Sequence, residues 1–174
     1  MKLLMGNHEK LMMDALTTGK HHYDWVRRNG GDKTLEEYEQ LPEEEQQELL
    51  AYLEALPYYF EVSVNGQKFL LIHAGLELND EMREMDIETI LSSQNPMTMV
   101  WLREEFYYRK GIPGYIIVYG HTPIVGSEQA RYDRTFNDKV CIDTGCAYGG
   151  GLLALRLDDM KEFYIPKGEE LHEN

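Results

Sequence analysis

Hydrophobic residues follow two different spacings along the chain. Before Pro57 they recur at intervals of three and four residues, which predicts helices over residues 10–16, 34–41 and 43–56. A short apolar run over residues 2–5 predicts a strand ahead of these helices. The first third of the chain is therefore predicted to be one strand followed by a mainly helical segment.

After Pro57 the pattern changes to alternating, β-branched and aromatic residues. Residues 60–64 and 68–72 flank Asn65-Gly66, a dipeptide that favours a two-residue turn, so they predict a β-hairpin. Further strands are predicted over residues 115–119, 140–142, 152–157 and 162–165, and helices over residues 86–91 and 98–108. This mixture of elements predicts an α/β fold, and the 174-residue length fits a single domain over residues 1–174.

Polar residues follow three of the predicted strands directly. Asn7 and His8 come after the first strand, His73 after the hairpin, and His121 after residues 115–119. Open α/β sheets bind ligands at strand ends of this kind. The positions therefore predict a ligand site at one edge of the sheet.

These side chains are suited to metal and phosphate chemistry. His73, His121 and the amide oxygen of Asn7 form a mixed nitrogen and oxygen set that suits manganese, iron or zinc. His8 could act as a proton donor, and Arg103, on the predicted helix over residues 98–108, could bind a phosphate with two hydrogen bonds. Each residue alone also has a structural explanation, as a hydrogen-bonded histidine, a surface arginine or a turn asparagine.

Composition narrows the class of protein. The formal net charge of −14 argues against nonspecific nucleic-acid binding, which needs basic patches. No apolar run reaches the roughly 20 residues of a membrane span. With only two cysteines a disulfide framework is not expected. We therefore expect a cytoplasmic protein that has neither a nucleic-acid nor a membrane partner.

Three short motifs stand in a fixed order, namely Gly6-Asn7-His8-Glu9, His73-Ala74-Gly75 and Gly120-His121-Thr122-Pro123. This set resembles that of the phosphoprotein phosphatases, which are calcineurin-like metallophosphoesterases, and is most similar to the bacterial and bacteriophage-lambda-type serine/threonine enzymes. Further likeness lies in residues 25–34, in Trp101-Leu102-Arg103-Glu104, in Ile142-Asp143-Thr144-Gly145 and in residues 149–152. The likeness covers nearly the whole chain.

The resemblance implies a fold and a set of roles. The expected fold is an α/β sandwich of two mixed β-sheets flanked by helices. Asn7, His73 and His121 match ligands of the second metal, and Asn7 is also expected to contact the substrate phosphate. His8 matches the catalytic histidine that protonates the leaving oxygen, and Arg103 the catalytic arginine that binds the phosphate. Members use two metal ions, with Mn²⁺ expected here and Fe or Zn as alternatives, and a shared hydroxide attacks phosphorus.

Two motifs of the family do not occur in this sequence. They read G-D-x-H-G and G-D-x-x-D-R-G, and they supply the first metal's ligands and the bridging aspartate. We therefore expect an N-terminally truncated chain without its N-terminal β-α-β units, whose true start lies upstream; a naturally shortened protein is the alternative. We expect at most one metal site, weak or no activity of the chain alone, and self-association through exposed sheet edges.

Three functions remain open on this basis. The first is a metal-dependent serine/threonine protein phosphatase, which hydrolyses phosphomonoesters of a phosphorylated protein or a small molecule. The second is a dinucleoside polyphosphate hydrolase of the same superfamily. The third is a remnant without catalysis that binds a metal or a partner, because the motifs for the first metal are missing.

Overall fold

The computed structural model of the chain describes residues 2–124, 126–133 and 135–168, except for the side chain of residue 104. The chain forms two compact units, the first reaching to Tyr58 and the second beginning at Tyr59. Whether the two units behave as the predicted single domain stays a prediction.

The first unit is helical. Its helices are α1 (Asn7–Thr18), α2 (His22–Arg28), α3 (Asp32–Glu39) and α4 (Glu43–Glu54). α1 packs against both α2 and α4. The residues that these contacts bury are Leu11, Met12, Ala15, Trp25 and Leu53. The helical periodicity before Pro57 is thus confirmed, and α2 is a helix that the hydrophobic spacing did not predict.

Both ends of α1 follow from local chemistry. At its start, the Glu9 carboxylate accepts a hydrogen bond of 3.1 Å from the Gly6 N–H, which satisfies a backbone donor that the helix leaves unpaired. At its end, Gly19 adopts φ +73° and donates to the Ala15 carbonyl over 3.2 Å. A left-handed residue in this position is most often glycine, because it carries no Cβ.

The strand predicted over residues 2–5 is wrong. The segment is buried at Met5, but it is tied by one backbone hydrogen bond of 2.8 Å, from the Met5 N–H to the Pro57 carbonyl. A strand requires a series of such bonds with a neighbouring strand, and no ladder pairs residues 2–5 with any described part of the chain. Apolar character alone therefore gave the wrong element.

The second unit holds seven strands in two sheets. The strands are β1 (Tyr59–Val64), β2 (Gln67–Ile72), β3 (Tyr115–Tyr119), β4 (Arg131–Tyr132), β5 (Lys139–Cys141), β6 (Leu152–Arg156) and β7 (Lys161–Ile165). The first sheet is mixed and has the order β1-β2-β3-β5-β4, whereas β6 and β7 form an antiparallel pair. Short helices α5 (Ile87–Ser92) and α6 (Pro96–Trp101) lie on the crossover from β2 to β3, and 3-10 turns occupy Met82–Glu84, Glu104–Phe106 and Cys146–Tyr148.

The hairpin of β1 and β2 confirms the turn predicted from Asn65-Gly66. The two central residues have φ values of +51° and +82°. Positive φ at both positions is the mark of a type I′ turn, whose twist matches that of the flanking strands. This turn sets the register of the pair, in which Tyr59 lies opposite Ile72.

Three strands of the mixed sheet run parallel, and this arrangement positions the site. β2 pairs with β3, and β3 pairs with β5, in parallel registers. Their centres are apolar, and Leu70, Ile117 and Cys141 are fully buried. The carboxyl ends of parallel strands meet at one edge of a sheet, so the residues after Ile72, Tyr119 and Cys141 are brought together.

The helix predicted over residues 98–108 ends early. α6 stops at Trp101, because Leu102 adopts an extended conformation with φ −60° and ψ 137°. A 3-10 turn then places Phe106 in a fully buried position against Gly75, where an added Cβ would lie 2.9 Å from the Phe106 ring. Packing of this ring on the strand-end loop overrides the helical periodicity.

Candidate functional site

His73 and His121 lie side by side at the edge of the mixed sheet. They follow the adjacent parallel strands β2 and β3. The Nε2 atom of His73 is 3.2 Å from the Nδ1 atom of His121, and the ring centroids are 5.1 Å apart with the planes tilted by 55°. The structure thus brings together two of the three residues predicted as metal ligands, while their role as ligands stays a prediction.

The backbone around these two histidines is closely tied. The Gly120 N–H donates to the His73 carbonyl over 2.9 Å, and the Thr122 N–H donates to the Gly120 carbonyl over 2.9 Å. The second bond closes a three-residue turn, a γ-turn, with His121 at its centre. The φ of His121 is +69°, and γ-turns with a positive central φ are rare and strained. Strained backbone of this kind clusters at functional sites, where the surrounding structure maintains it.

Trp101 supports the pair from the last turn of α6. Its ring meets the His121 imidazole edge-on, with centroids 5.5 Å apart and planes at 83°. The Ala74 N–H, directly after His73, donates to the Met99 carbonyl of α6 over 3.0 Å. α6 is therefore bound to both strand-end loops, by a ring contact at one and a backbone hydrogen bond at the other.

Asp143 occupies the end of the third parallel strand. Its carboxylate accepts a hydrogen bond of 2.9 Å from the Gly145 N–H, and its carbonyl accepts one of 2.8 Å from the Ile124 N–H. A Cβ on Gly120 would lie 3.4 Å from the Asp143 Cβ, so the two strand-end loops are in contact. Asp143 therefore connects the loop after β3 to the loop after β5 through hydrogen bonds.

The paired imidazoles fit two ligands of one divalent cation. Metal–nitrogen bonds of about 2.1 Å put two adjacent ligand nitrogens roughly 3.0–3.4 Å apart, which brackets the observed 3.2 Å. Neutral imidazole suits manganese, iron and zinc. Within the described ranges, no group of three or more His, Cys, Asp or Glu residues could hold a metal ion. This unit therefore offers a two-nitrogen part of a site.

Asn7 and His8 lie in the first turn of α1, in the other compact unit. The Asn7 side chain is only 5% exposed, whereas His8 is exposed. The positive end of the helix dipole at such an N-terminus favours anions. The structure therefore places a buried amide and an exposed imidazole next to each other, and their predicted roles stay predictions.

Arg103 does not lie on a helix, contrary to the prediction. It follows Leu102 in the extended segment after α6, and its carbonyl accepts the Phe106 N–H of the 3-10 turn over 3.1 Å. Its side chain is exposed, and no residue of the described chain forms an ion pair with it. The predicted phosphate-binding role remains untested.

Sequence reasoning missed an aromatic cluster beside the histidines. The Tyr107 hydroxyl donates to the Thr122 carbonyl over 3.1 Å, and Tyr119 packs its ring 5.8 Å from that of Tyr107. Burial raises the pKa of both phenols, so both stay protonated near neutral pH. The available signal was the density of tyrosines, with Tyr107-Tyr108 in tandem and Tyr119 directly before the Gly-His motif.

Cys141 is also close to this loop, and its chemistry is inert. Its Sγ atom lies 3.8 Å from the Thr122 carbonyl oxygen, and burial raises the thiol pKa to about 11. Because the thiolate is the nucleophilic form, a thiol with this pKa is unreactive at neutral pH. Cys141 is completely buried.

Comparison with known proteins gives relatives that carry the name of a nucleotide-cleaving enzyme. No protein-family model matches the sequence. The chain is 32% identical over 149 residues to bis(5'-nucleosyl)-tetraphosphatase PrpE [asymmetrical] of Geobacillus sp. (strain WCH70). The matched region covers 79% of this chain and 57% of that protein. It is 32% identical over 155 residues to the protein of the same name from Halalkalibacterium halodurans, which covers 83% of this chain and 59% of that protein. The chain thus spans less than two thirds of the length of these relatives.

A solved structure confirms the predicted fold class. This crystal structure, of a protein with the provisional name diadenosine tetraphosphatase, has a TM-score of 0.58 and 14% sequence identity, and the match covers 95% of this chain and 68% of that one. The fold is accordingly α/β and calcineurin-like. Together with the named relatives, it supports the resemblance to the phosphoprotein phosphatase superfamily, without favouring the serine/threonine branch.

None of the helices that the structure describes is both long and apolar enough to cross a bilayer.

Proposed function

We propose that this chain forms part of a metal-dependent phosphoesterase that acts on dinucleoside polyphosphates. The observation that carries the proposal is the 3.2 Å pairing of His73 Nε2 with His121 Nδ1 at the ends of adjacent parallel strands. The names of the relatives supply the substrate class, since both are described as bis(5'-nucleosyl)-tetraphosphatases. The dinucleoside alternative therefore replaces the serine/threonine phosphatase as the first hypothesis.

On this proposal His73 and His121 hold a divalent cation, with Mn²⁺ as the expected ion. A cation at this position would polarise a phosphate and lower the pKa of a coordinated water. The γ-turn at His121 and the Trp101 edge keep the two rings in place, so the protein does not have to reorganise when the ion binds. Asn7 as a further ligand is carried only by the resemblance.

Two other side chains have roles in the proposed reaction, again from the resemblance. Arg103 binds the substrate phosphate, for which an exposed guanidinium is suitable. His8 donates a proton to the leaving oxygen, and its exposed position at a helix N-terminus leaves it accessible to substrate.

A calorimetric titration of Mn²⁺ tests the metal assignment. The wild-type chain and His73→Ala are compared, with His22→Ala, an exposed histidine of α2, as the matched control. Loss of one of two ligands is expected to weaken Mn²⁺ binding at least tenfold in His73→Ala and to leave His22→Ala unchanged. Equal binding by all three chains contradicts the assignment of the paired imidazoles.

Substrate comparison tests the other half of the proposal. With Mn²⁺ present, turnover of diadenosine tetraphosphate is compared with that of a phosphoserine peptide. Faster turnover of the dinucleotide supports the proposal, and faster turnover of the peptide restores the serine/threonine phosphatase. If neither substrate turns over although Mn²⁺ binds, the remnant without catalysis becomes the best description of the chain.

A further inference from the structure

A cavity of about 350 Å³ is lined in part by Tyr119, two residues before His121, and we propose that it binds the nucleobase of a nucleoside phosphate. Its walls are Tyr107, Tyr108, Tyr119, Arg131, Tyr132, Asp133 and Thr135, which we call the tyrosine cavity. This inference rests on the proposed function, because it assigns the part of the same substrate that lies away from the phosphates.

The cavity and the histidine pair share one loop. The Tyr107 hydroxyl donates to the Thr122 carbonyl over 3.1 Å, and Thr122 directly follows His121. Tyr119, on the opposite side of Gly120, is the last residue of β3. His121 is therefore two residues along the chain from one wall residue, and the residue after it is hydrogen-bonded to another.

The wall chemistry suits a flat, aromatic and polar group. The Arg131 guanidinium lies 4.6 Å from the centroid of the Tyr107 ring, and the Tyr119 ring lies 5.8 Å from the Tyr107 ring. Tyr108 is 75% exposed and offers an open ring face, with its centroid 6.5 Å from that of Tyr107. Aromatic faces and arginine planes are the usual stacking partners of nucleobases. A cavity of this size also lies within the range of small-molecule sites.

The charges in the cavity favour an anionic ligand. The Asp133 carboxylate is already engaged, with Oδ2 2.9 Å from the buried Lys139 Nζ and with Oδ1 accepting from the Thr135 N–H over 2.8 Å. Arg131 is exposed and forms no ion pair with the described residues. The guanidinium therefore provides the open charge of this wall, and it attracts the phosphate end of a nucleotide as well as its base.

The wall that carries Arg131 is held in place before any ligand binds. β4 is an edge strand that pairs only with β5 in the described sheet. The carboxylate of Glu162, in β7, also binds this segment through two hydrogen bonds. One Glu162 oxygen accepts from the Ala130 N–H and the other from the Tyr132 hydroxyl, each over 2.9 Å. A preformed wall reduces the ordering cost of binding.

The test is a binding measurement without added metal, so that it does not depend on turnover. AMP and ribose 5-phosphate are titrated calorimetrically into the 174-residue chain in the presence of a chelator. Arg131→Gln and Tyr108→Ala each remove one side chain from the cavity wall. Both side chains are exposed, so we expect both variants to fold. The matched controls are Arg156→Gln, whose guanidinium lies over Phe163, and Tyr148→Ala, which is 84% exposed outside the cavity.

We expect the wild-type chain to bind AMP more tightly than ribose 5-phosphate. Tyr108→Ala should weaken AMP binding by roughly tenfold and leave ribose 5-phosphate binding unchanged, since stacking on one aromatic group has about this effect. Arg131→Gln should weaken the binding of both ligands, and that of AMP more strongly, because the guanidinium attracts the phosphate that they share as well as the base. The controls should bind AMP as the wild type does. Circular dichroism of each variant confirms that the chain is folded.

Other outcomes overturn the inference. Equal affinity of the wild type for AMP and ribose 5-phosphate, no AMP binding, or equal losses in the controls each contradict a base-binding cavity. Displacement of AMP by an unphosphorylated tyrosine-free peptide would instead identify a peptide groove. AMP binding that responds to the cavity variants, in a chain that binds no Mn²⁺, keeps this inference and rejects the proposed phosphoesterase.

Discussion

The Gly120 N–H donates a hydrogen bond of 2.9 Å to the carbonyl of His73. This bond continues the parallel pairing of β2 and β3 by one step past their ends. The two loops that carry the histidines are therefore joined through their backbones. The imidazoles acquire their 3.2 Å separation from the sheet.

Substitution of His121 should separate its backbone role from its ligand role. Asparagine tolerates the left-handed φ of +69°, whereas valine does not. We expect His121→Asn to fold with nearly wild-type stability but to bind Mn²⁺ weakly. His121→Val should lose about 1–2 kcal/mol of unfolding free energy in urea denaturation. Equal stability of the two variants would show that the γ-turn is not under strain.

Substitution of Gly150 should destabilise the loop after β5. A Cβ at this position would lie 2.1 Å from the Thr144 carbonyl oxygen, a distance that requires the backbone to move. We expect Gly150→Ala to lower the free energy of unfolding by about 2–3 kcal/mol. Gly168→Ala is the control, because a Cβ there meets nothing within 4 Å. Urea denaturation of both variants measures the difference, and similar values contradict the crowding of Gly150.

The buried Lys139 should matter far more than an exposed arginine with similar partners. Its ammonium contacts Asp133 and Asp138 at 2.9 and 3.2 Å, with a side chain that is 1% exposed. Lys139→Met leaves two carboxylates without their cation, so we expect a loss of about 3 kcal/mol or more. Arg156→Gln breaks pairs with Asp158 and Asp159 whose side chains are about half exposed, and it should change the stability much less, because water screens exposed ion pairs. Thermal denaturation should rank the two variants in this order.

The two cysteines should differ in reactivity and pH dependence. Burial raises the pKa of the Cys141 thiol from its ordinary 9.0 to about 11, whereas Cys146 is exposed. Mass spectrometry after iodoacetamide treatment at pH 8 should find Cys146 alkylated and Cys141 unmodified in the native chain.

The same shift gives the sign of a stability change. Between pH 9 and pH 11 the unfolded chain has lost the Cys141 proton while the folded chain retains it. The free energy of unfolding therefore falls as pH rises through this window, and the contribution is fully present below pH 9. Cys141→Ala should show a smaller alkaline loss than the wild type, and an unchanged pH profile would contradict the assignment.

Local patterns predicted those parts of the fold that local physics determines. The Asn65-Gly66 turn required only the positive φ that these two residues tolerate. The sequence located His73 and His121 at the ends of strands because each directly follows an apolar run. The parallel pairing of β2 and β3 then brings these two strand ends together. The helical periodicity before Pro57 likewise depends on contacts within a few turns.

The missed features depend on contacts between distant residues. The helix over residues 98–108 ends early because Phe106 packs on Gly75, 31 positions away, which no window around Phe106 contains. β4 has two residues and is a strand only through its pairing with β5. The residues of the tyrosine cavity come from three separate segments of the chain, so no local sequence pattern could predict that they line one cavity.

The parallel pairing of β2 and β3 also makes the histidine pair tolerant of insertions. Adjacent strands lie about 4.8 Å apart whatever the length of the crossover that joins them. The stretch around Met82–Glu84 on this crossover is largely exposed. Residues can therefore be added or removed there without separating the two imidazoles. The crossover can therefore vary in sequence and length while the two imidazole nitrogens keep their spacing.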